Sequence, residues 1–95
     1  MEFTRIEGMN KGDVRIFTLS TCAWCNKTKR LLNELGVEYF YIDVDLLGFD
    51  EKKIVLKELK KWNPRVSYPT IVINEEKVIP SFDETEIREF FENEK

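Results

Sequence analysis

A chain of 95 residues, 42% hydrophobic and 35% charged, has material for one compact domain with a modest core and too little for two. Its formal charge of −3 argues against a nucleic-acid partner, whose phosphates call for a basic surface, and no apolar run reaches the roughly 18 residues of a membrane span. Two cysteines and no histidine are too few for a disulfide scaffold, and they exclude a Cys–His nucleophile pair or a Cys/His zinc site built from this chain alone.

Met1 to Gly12 shows no basic start followed by an apolar stretch, so no secretory leader is expected and a cytoplasmic location is the reading. Phe3 to Ile6 alternates weakly and suggests a short extra strand, and Gly8 to Gly12 reads as a turn. Val14 to Leu19 is apolar and rich in β-formers, which predicts a strand. Ser20 and Thr21 then offer N-capping side chains. From Ala23 to Leu35 the pattern is helical, with Thr28, Leu31, Leu32 and Leu35 on one face and Lys27, Lys29, Arg30 and Glu34 elsewhere; Gly36 follows as a stop. Glu38 to Val44 predicts a second strand that exits at Asp43, Asp45 and Gly48. Glu51 to Trp62 predicts a second helix with an apolar stripe of Ile54, Val55, Leu56, Leu59 and Trp62. Its Lys57, Lys60 and Lys61 read as a solvated face. Asn63-Pro64 ends the helix, because proline cannot continue the hydrogen-bond ladder.

Pro69 to Ile73 predicts a third strand, Asn74 to Glu76 a hairpin turn and Lys77 to Ile79 a fourth strand. Asp83 with Glu86 forms a capping box opening a last helix that ends near Asn93, with Ile87, Phe90 and Phe91 buried. The order β-α-β-α-β-β-α implies a right-handed crossover between the first two core strands, an antiparallel closing hairpin, and helices on both faces of a mixed four-stranded sheet.

Cys22-Ala23-Trp24-Cys25 falls where a strand gives way to a helix. A helix N-terminus carries unpaired backbone N–H groups and roughly half a positive charge, both of which stabilise a sulfur anion, and Lys27, Lys29 and Arg30 lie within two turns. Residues three apart on a helix share a face and come within disulfide reach. Cys22 is therefore the candidate nucleophile and Cys25 the candidate resolving thiol, in chemistry that needs no metal or organic cofactor. Two alternatives use the same residues: a metal or iron–sulfur carrier in which a second chain completes the ligand set, and a binding module whose cysteines are inert. Tyr68-Pro69 precedes the third strand, where the missing proline N–H is not needed.

The segment Ile16-Phe17-Thr18-Leu19-Ser20-Thr21-Cys22-Ala23-Trp24-Cys25 resembles the strand–loop–helix of the glutaredoxins, within the thioredoxin superfamily. Trp24 stands in the place usually held by Tyr. Ser67-Tyr68-Pro69-Thr70-Ile71-Val72-Ile73-Asn74 resembles the superfamily's cis-proline segment, and Asp83 matches the family's final acidic motif. The resemblance implies an α/β thioredoxin fold, a cis Pro69 beside the cysteines, and a Tyr68 backbone that pairs with an extended substrate segment. It further implies Trp24 and Tyr68 as an apolar contact patch around Cys22, with Thr70 in the binding groove.

Three departures stand out. Leu19 occupies the position of a glutathione-contacting Lys. Pro80-Ser81 replaces a pair of glycines that let backbone approach glutathione. Ile16 stands where thioredoxins bury an Asp. The expectation is a monomeric thiol–disulfide oxidoreductase acting on protein disulfides, with no cofactor, recharged by a thiol reductant or reductase other than glutathione.

Overall fold

The computed structural model describes residues 1–92. In chain order the elements are β1 (Thr4–Ile6), β2 (Val14–Thr18), α1 (Ala23–Glu34), β3 (Tyr39–Asp43), a 3-10 turn (Val44–Leu46), α2 (Phe49–Trp62), β4 (Thr70–Ile73), β5 (Lys77–Ile79) and α3 (Glu84–Glu92). The expected helix end near Asn93 lies outside the described residues. The sheet runs β1-β3-β2-β4-β5. β2 lies at its centre, parallel to β3 with Thr18 opposite Asp43 and antiparallel to β4 with Phe17 opposite Thr70. A strand flanked on both edges and covered on both faces has no side left for water, and Val14, Ile16, Phe17 and Thr18 are all buried. This register brings the ends of β2 and β3 and the start of β4 to the same end of the sheet. The segments that leave or enter there carry Cys22, Asp45 and Pro69.

The sheet has five strands, not four. Phe3 to Ile6 supplies the fifth, as β1 pairs antiparallel with β3. An uncovered β3 edge would expose a row of unpaired backbone groups. Burial adds to the pairing, because Phe3 meets Phe17 edge-on at 5.6 Å and Ile6 packs against the core. The expected turn at Gly8 to Gly12 is partly a pairing segment: Met9 bridges to Val37, its N–H donating to the Gly36 carbonyl at 2.7 Å while the Glu38 N–H donates to the Met9 carbonyl at 2.9 Å.

The two faces of the sheet carry separate cores. α1 and α3 press Leu31, Leu32, Ile87 and Phe91 onto Val14, Ile16, Tyr39, Ile71 and Ile73. α2 lies on the other face, where Val55 and Leu59 meet Phe17, Ile42 and Val72. Ile54, expected in the apolar stripe, is 58% exposed; one position from Val55, it is turned about 100° away from the buried line. Acidic Asp50 and Glu51 in the first turn of α2 and Lys60 and Lys61 in the last match the helix dipole. In α3, Asp83 caps the N–H of Glu86 at 3.0 Å. The return half of the expected box is replaced by an ion pair of Glu86 with Lys77 at 2.7 Å.

Candidate active site

α1 begins at Ala23, so its N-cap is Cys22 itself, not Ser20 or Thr21. The Cys22 backbone is extended, and its Sγ accepts the Cys25 N–H at 3.2 Å. Sulfur thus takes the part that a Ser or Asp oxygen usually plays. Ser20 is drawn elsewhere. Its N–H donates to Asp45 Oδ1 at 2.8 Å and its hydroxyl to Oδ2 at 2.5 Å, which ties the loop before the cysteines to the exit of β3. These two bonds hold the Asp45 carboxyl below its ordinary range.

Cys22 is half-buried and Cys25 fully buried, both as free thiols. Burial, reinforced by the hydrogen bond and charge of Cys22, pushes the Cys25 thiol up to about 12, with the Leu19 backbone and Lys29 opposing. The Cys22 thiol faces the Tyr68 carbonyl at 4.0 Å, and the Tyr68–Pro69 peptide bond is cis. Tyr68 is half-buried in the α2-side core, and its phenol is raised mainly by burial, with smaller contributions from Cys25 and Asp45.

Trp24 and Tyr68 occupy different neighbourhoods. Trp24, 55% exposed, stacks on Phe82 at 5.7 Å with the Lys27 ammonium 4.7 Å above its ring, whereas Tyr68 leans towards α2. The expectation that Thr70 lines the groove is corrected. Its side chain is fully buried, donating to the Ser67 carbonyl at 2.7 Å and accepting from Asn63 at 3.0 Å, so its hydroxyl is spent inside the protein and is not presented at the surface. Asn63, Ser67, Asp45 and Phe82 were not foreseen. Their partners lie up to 58 positions away along the chain, and no local pattern marks them. Among the described residues, no group of three or more His, Cys, Asp or Glu is placed to hold a metal ion.

The glutaredoxin family model matches residues 14–78. The chain belongs to the glutaredoxin family. A glutaredoxin from Methanosarcina mazei Go1 has 45% sequence identity and a TM-score of 0.85, over 94% of this chain and 86% of that one. The methanoredoxin of Methanosarcina acetivorans has 47% identity and a TM-score of 0.84, over 87% of each chain. A glutaredoxin (grx-1) from Archaeoglobus fulgidus has 28% identity and a TM-score of 0.76, over 83% and 85%. Comparison with curated protein sequences gives no significant match. The thioredoxin-like glutaredoxin fold and a Cys-x-x-Cys pair at the start of a helix together make thiol–disulfide chemistry the general activity of this site.

Proposed function

We propose that the chain reduces protein disulfides through Cys22 and Cys25 and is recharged by a donor other than glutathione. The observation that carries this reading is the pairing of environments. Cys22 Sγ sits at the α1 N-cap with a backbone N–H on it, and Cys25 is sealed one turn below. The thiolate is the attacking form. Cys22 attacks a substrate disulfide, forming one S–S bond and breaking another; the departing substrate sulfur leaves as a thiolate and takes up a proton. Cys25 then gives up its proton and attacks Cys22 Sγ. The Cys22–Cys25 disulfide forms and the second substrate sulfur is released as a thiol. The substrate gains two electrons from the two cysteines and two protons, one released by Cys25 and one from solvent, to which Cys22 gave its own proton on forming the thiolate. Since Cys25 holds its proton strongly, it remains a thiol while Cys22 attacks, and the two sulfurs do not compete for substrate.

Substrate docks as an extended segment against the Tyr68 backbone, with the exposed Trp24 ring as an apolar contact. Two features support a donor other than glutathione. Leu19 has no charge to offer a carboxylate, and Pro80 has no N–H to donate. The test uses insulin as the protein disulfide. Cys22→Ser is expected to abolish reduction, while Cys25→Ser accumulates a mixed disulfide on Cys22 visible by mass spectrometry. Both variants working at the wild-type rate would overturn the dithiol mechanism. For the donor, the oxidised protein is offered glutathione, an NADPH-linked thioredoxin reductase and a ferredoxin-linked reductase. Reduction by glutathione as fast as by either enzyme would overturn that part of the proposal.

A further inference from the structure

We propose that Asn63 is a positioning residue for substrate. Through Ser67 and Thr70 it fixes the Tyr68 backbone opposite Cys22. The inference rests on the docking mode above and deepens it.

Asn63 ends α2, and as a helix terminator it could be exposed. Instead it is buried, with 6% of its surface accessible. Every polar atom it has is engaged. Its N–H donates to the Leu59 carbonyl at 2.8 Å, and its own carbonyl accepts the Val66 N–H at 3.0 Å. The side-chain Oδ1 accepts the Arg65 N–H at 3.2 Å. Nδ2 donates twice, to Ser67 Oγ at 2.8 Å and to Thr70 Oγ1 at 3.0 Å.

The direction of these bonds is not interchangeable. The Ser67 hydroxyl donates to the Pro80 carbonyl at 2.6 Å, and the Thr70 hydroxyl donates to the Ser67 carbonyl at 2.7 Å. Each hydroxyl has committed its one proton, so each can meet Asn63 only as an acceptor. Only the amide nitrogen of Asn63 donates to both. A carboxylate of the same shape has no proton to give, so each hydroxyl could meet it only by giving up its bond to a carbonyl.

The segment held in this way is residues 64–68, the stretch that carries Tyr68 to its place 4.0 Å from Cys22 Sγ. Within it Val66 has φ +52°, a left-handed conformation that a β-branched residue adopts only when its surroundings impose it. The bonds from Asn63 lie on both sides of Val66. The same chain of hydrogen bonds continues to Pro80, so the end of α2, the Tyr68-Pro69 segment and the segment after β5 are joined through one buried amide.

The test compares wild type, Asn63→Asp and Ser67→Ala. Asn63→Asp keeps the shape and removes both donors; Ser67→Ala is a milder change that keeps the test usable if the first variant does not fold. The readouts are steady-state insulin reduction, Cys22 alkylation by iodoacetamide, and amide hydrogen exchange of the 65–68 segment. The expected result is a KM raised about tenfold in Ser67→Ala, which loses one of the two bonds from Asn63 Nδ2, and by at least as much in Asn63→Asp, with kcat within about twofold in both. Exchange at 65–68 speeds up, and the alkylation rate changes much less than KM does, because the N–H on Cys22 Sγ lies inside α1 and only the long 4.0 Å contact to the Tyr68 carbonyl belongs to the loosened segment. An unchanged KM in a folded variant would overturn the proposal. So would a fall in alkylation that parallels the fall in turnover, which would mean the change acts on the sulfur. A wild-type protein that reduces no insulin counts against the docking reading itself, and the exchange measurement then still reports whether Asn63 holds the segment.

Discussion

Cys25 is the residue whose environment governs the resolving step of the proposed mechanism. Burial is the largest influence on its thiol, and replacing Cys22 by Ser removes the neighbouring sulfur without exposing the site. In Cys22→Ser, the pH profile of Cys25 alkylation should therefore keep its midpoint well above the ordinary thiol value of 9.0. The midpoint is the informative quantity, because burial also slows the reagent. Mass-spectrometric alkylation across pH 7–11 checks it, and a midpoint at or below the ordinary value would mean that the thiol is not desolvated as the structure has it. For the intact dithiol the same argument has a kinetic consequence. Release of the mixed disulfide, which needs the Cys25 proton removed, should accelerate as pH rises through this range.

At the scale of elements, Gly8 is a tight joint against unyielding backbone. A Cβ there would lie 2.7 Å from the backbone of Val37 and Glu38, which cannot give way without parting the N-terminal segment from β3. Gly8→Ala should cost about 1–3 kcal/mol, as overpacking does, and lower the melting temperature by at least roughly 4 °C. It should also remove the exchange protection of the Glu38 N–H that now binds Met9. An unchanged melt with Glu38 still protected would show that the contact yields freely. This joint also marks the limit of what local sequence can convey. α1, α2 and β2 were legible because burial imprints a period on consecutive residues, and the cysteine pair because strand, helix start and spacing all lie within Val14 to Leu35. The β1–β3 pairing was not, since nothing between Phe3 and Ile6 names Tyr39 as its partner. Nor was the capping of α1: Ser20 is the better capping residue by type, yet Asp45, 25 positions on, captures its hydroxyl. Asn63 looked like a simple helix terminator because its partners Ser67, Thr70 and, through them, Pro80 meet only after α2 and β4 have packed.

The whole molecule should weaken on the alkaline side, and the redox state should set where the weakening starts. Cys25, Tyr39 and Tyr68 all have their acid groups raised chiefly by burial. Each holds its proton more tightly folded than unfolded. Between the ordinary and the raised value the unfolded chain has released a proton that the folded chain keeps, so stability falls as pH rises. For Cys25 the window opens near the ordinary thiol value of 9.0 and extends to about 12; for the two phenols it opens near 10.0. Oxidation to the Cys22–Cys25 disulfide removes the thiol from this balance and leaves the phenols. Urea unfolding of both redox forms at pH 8, 9, 10 and 11 should show the reduced protein losing stability from about pH 9 and the oxidised protein only from about pH 10. A reduced form whose stability is flat or rising between pH 9 and 11 would contradict the burial of these three groups together. A decline starting at the same pH in both redox forms would remove Cys25 from the account and leave the tyrosines alone.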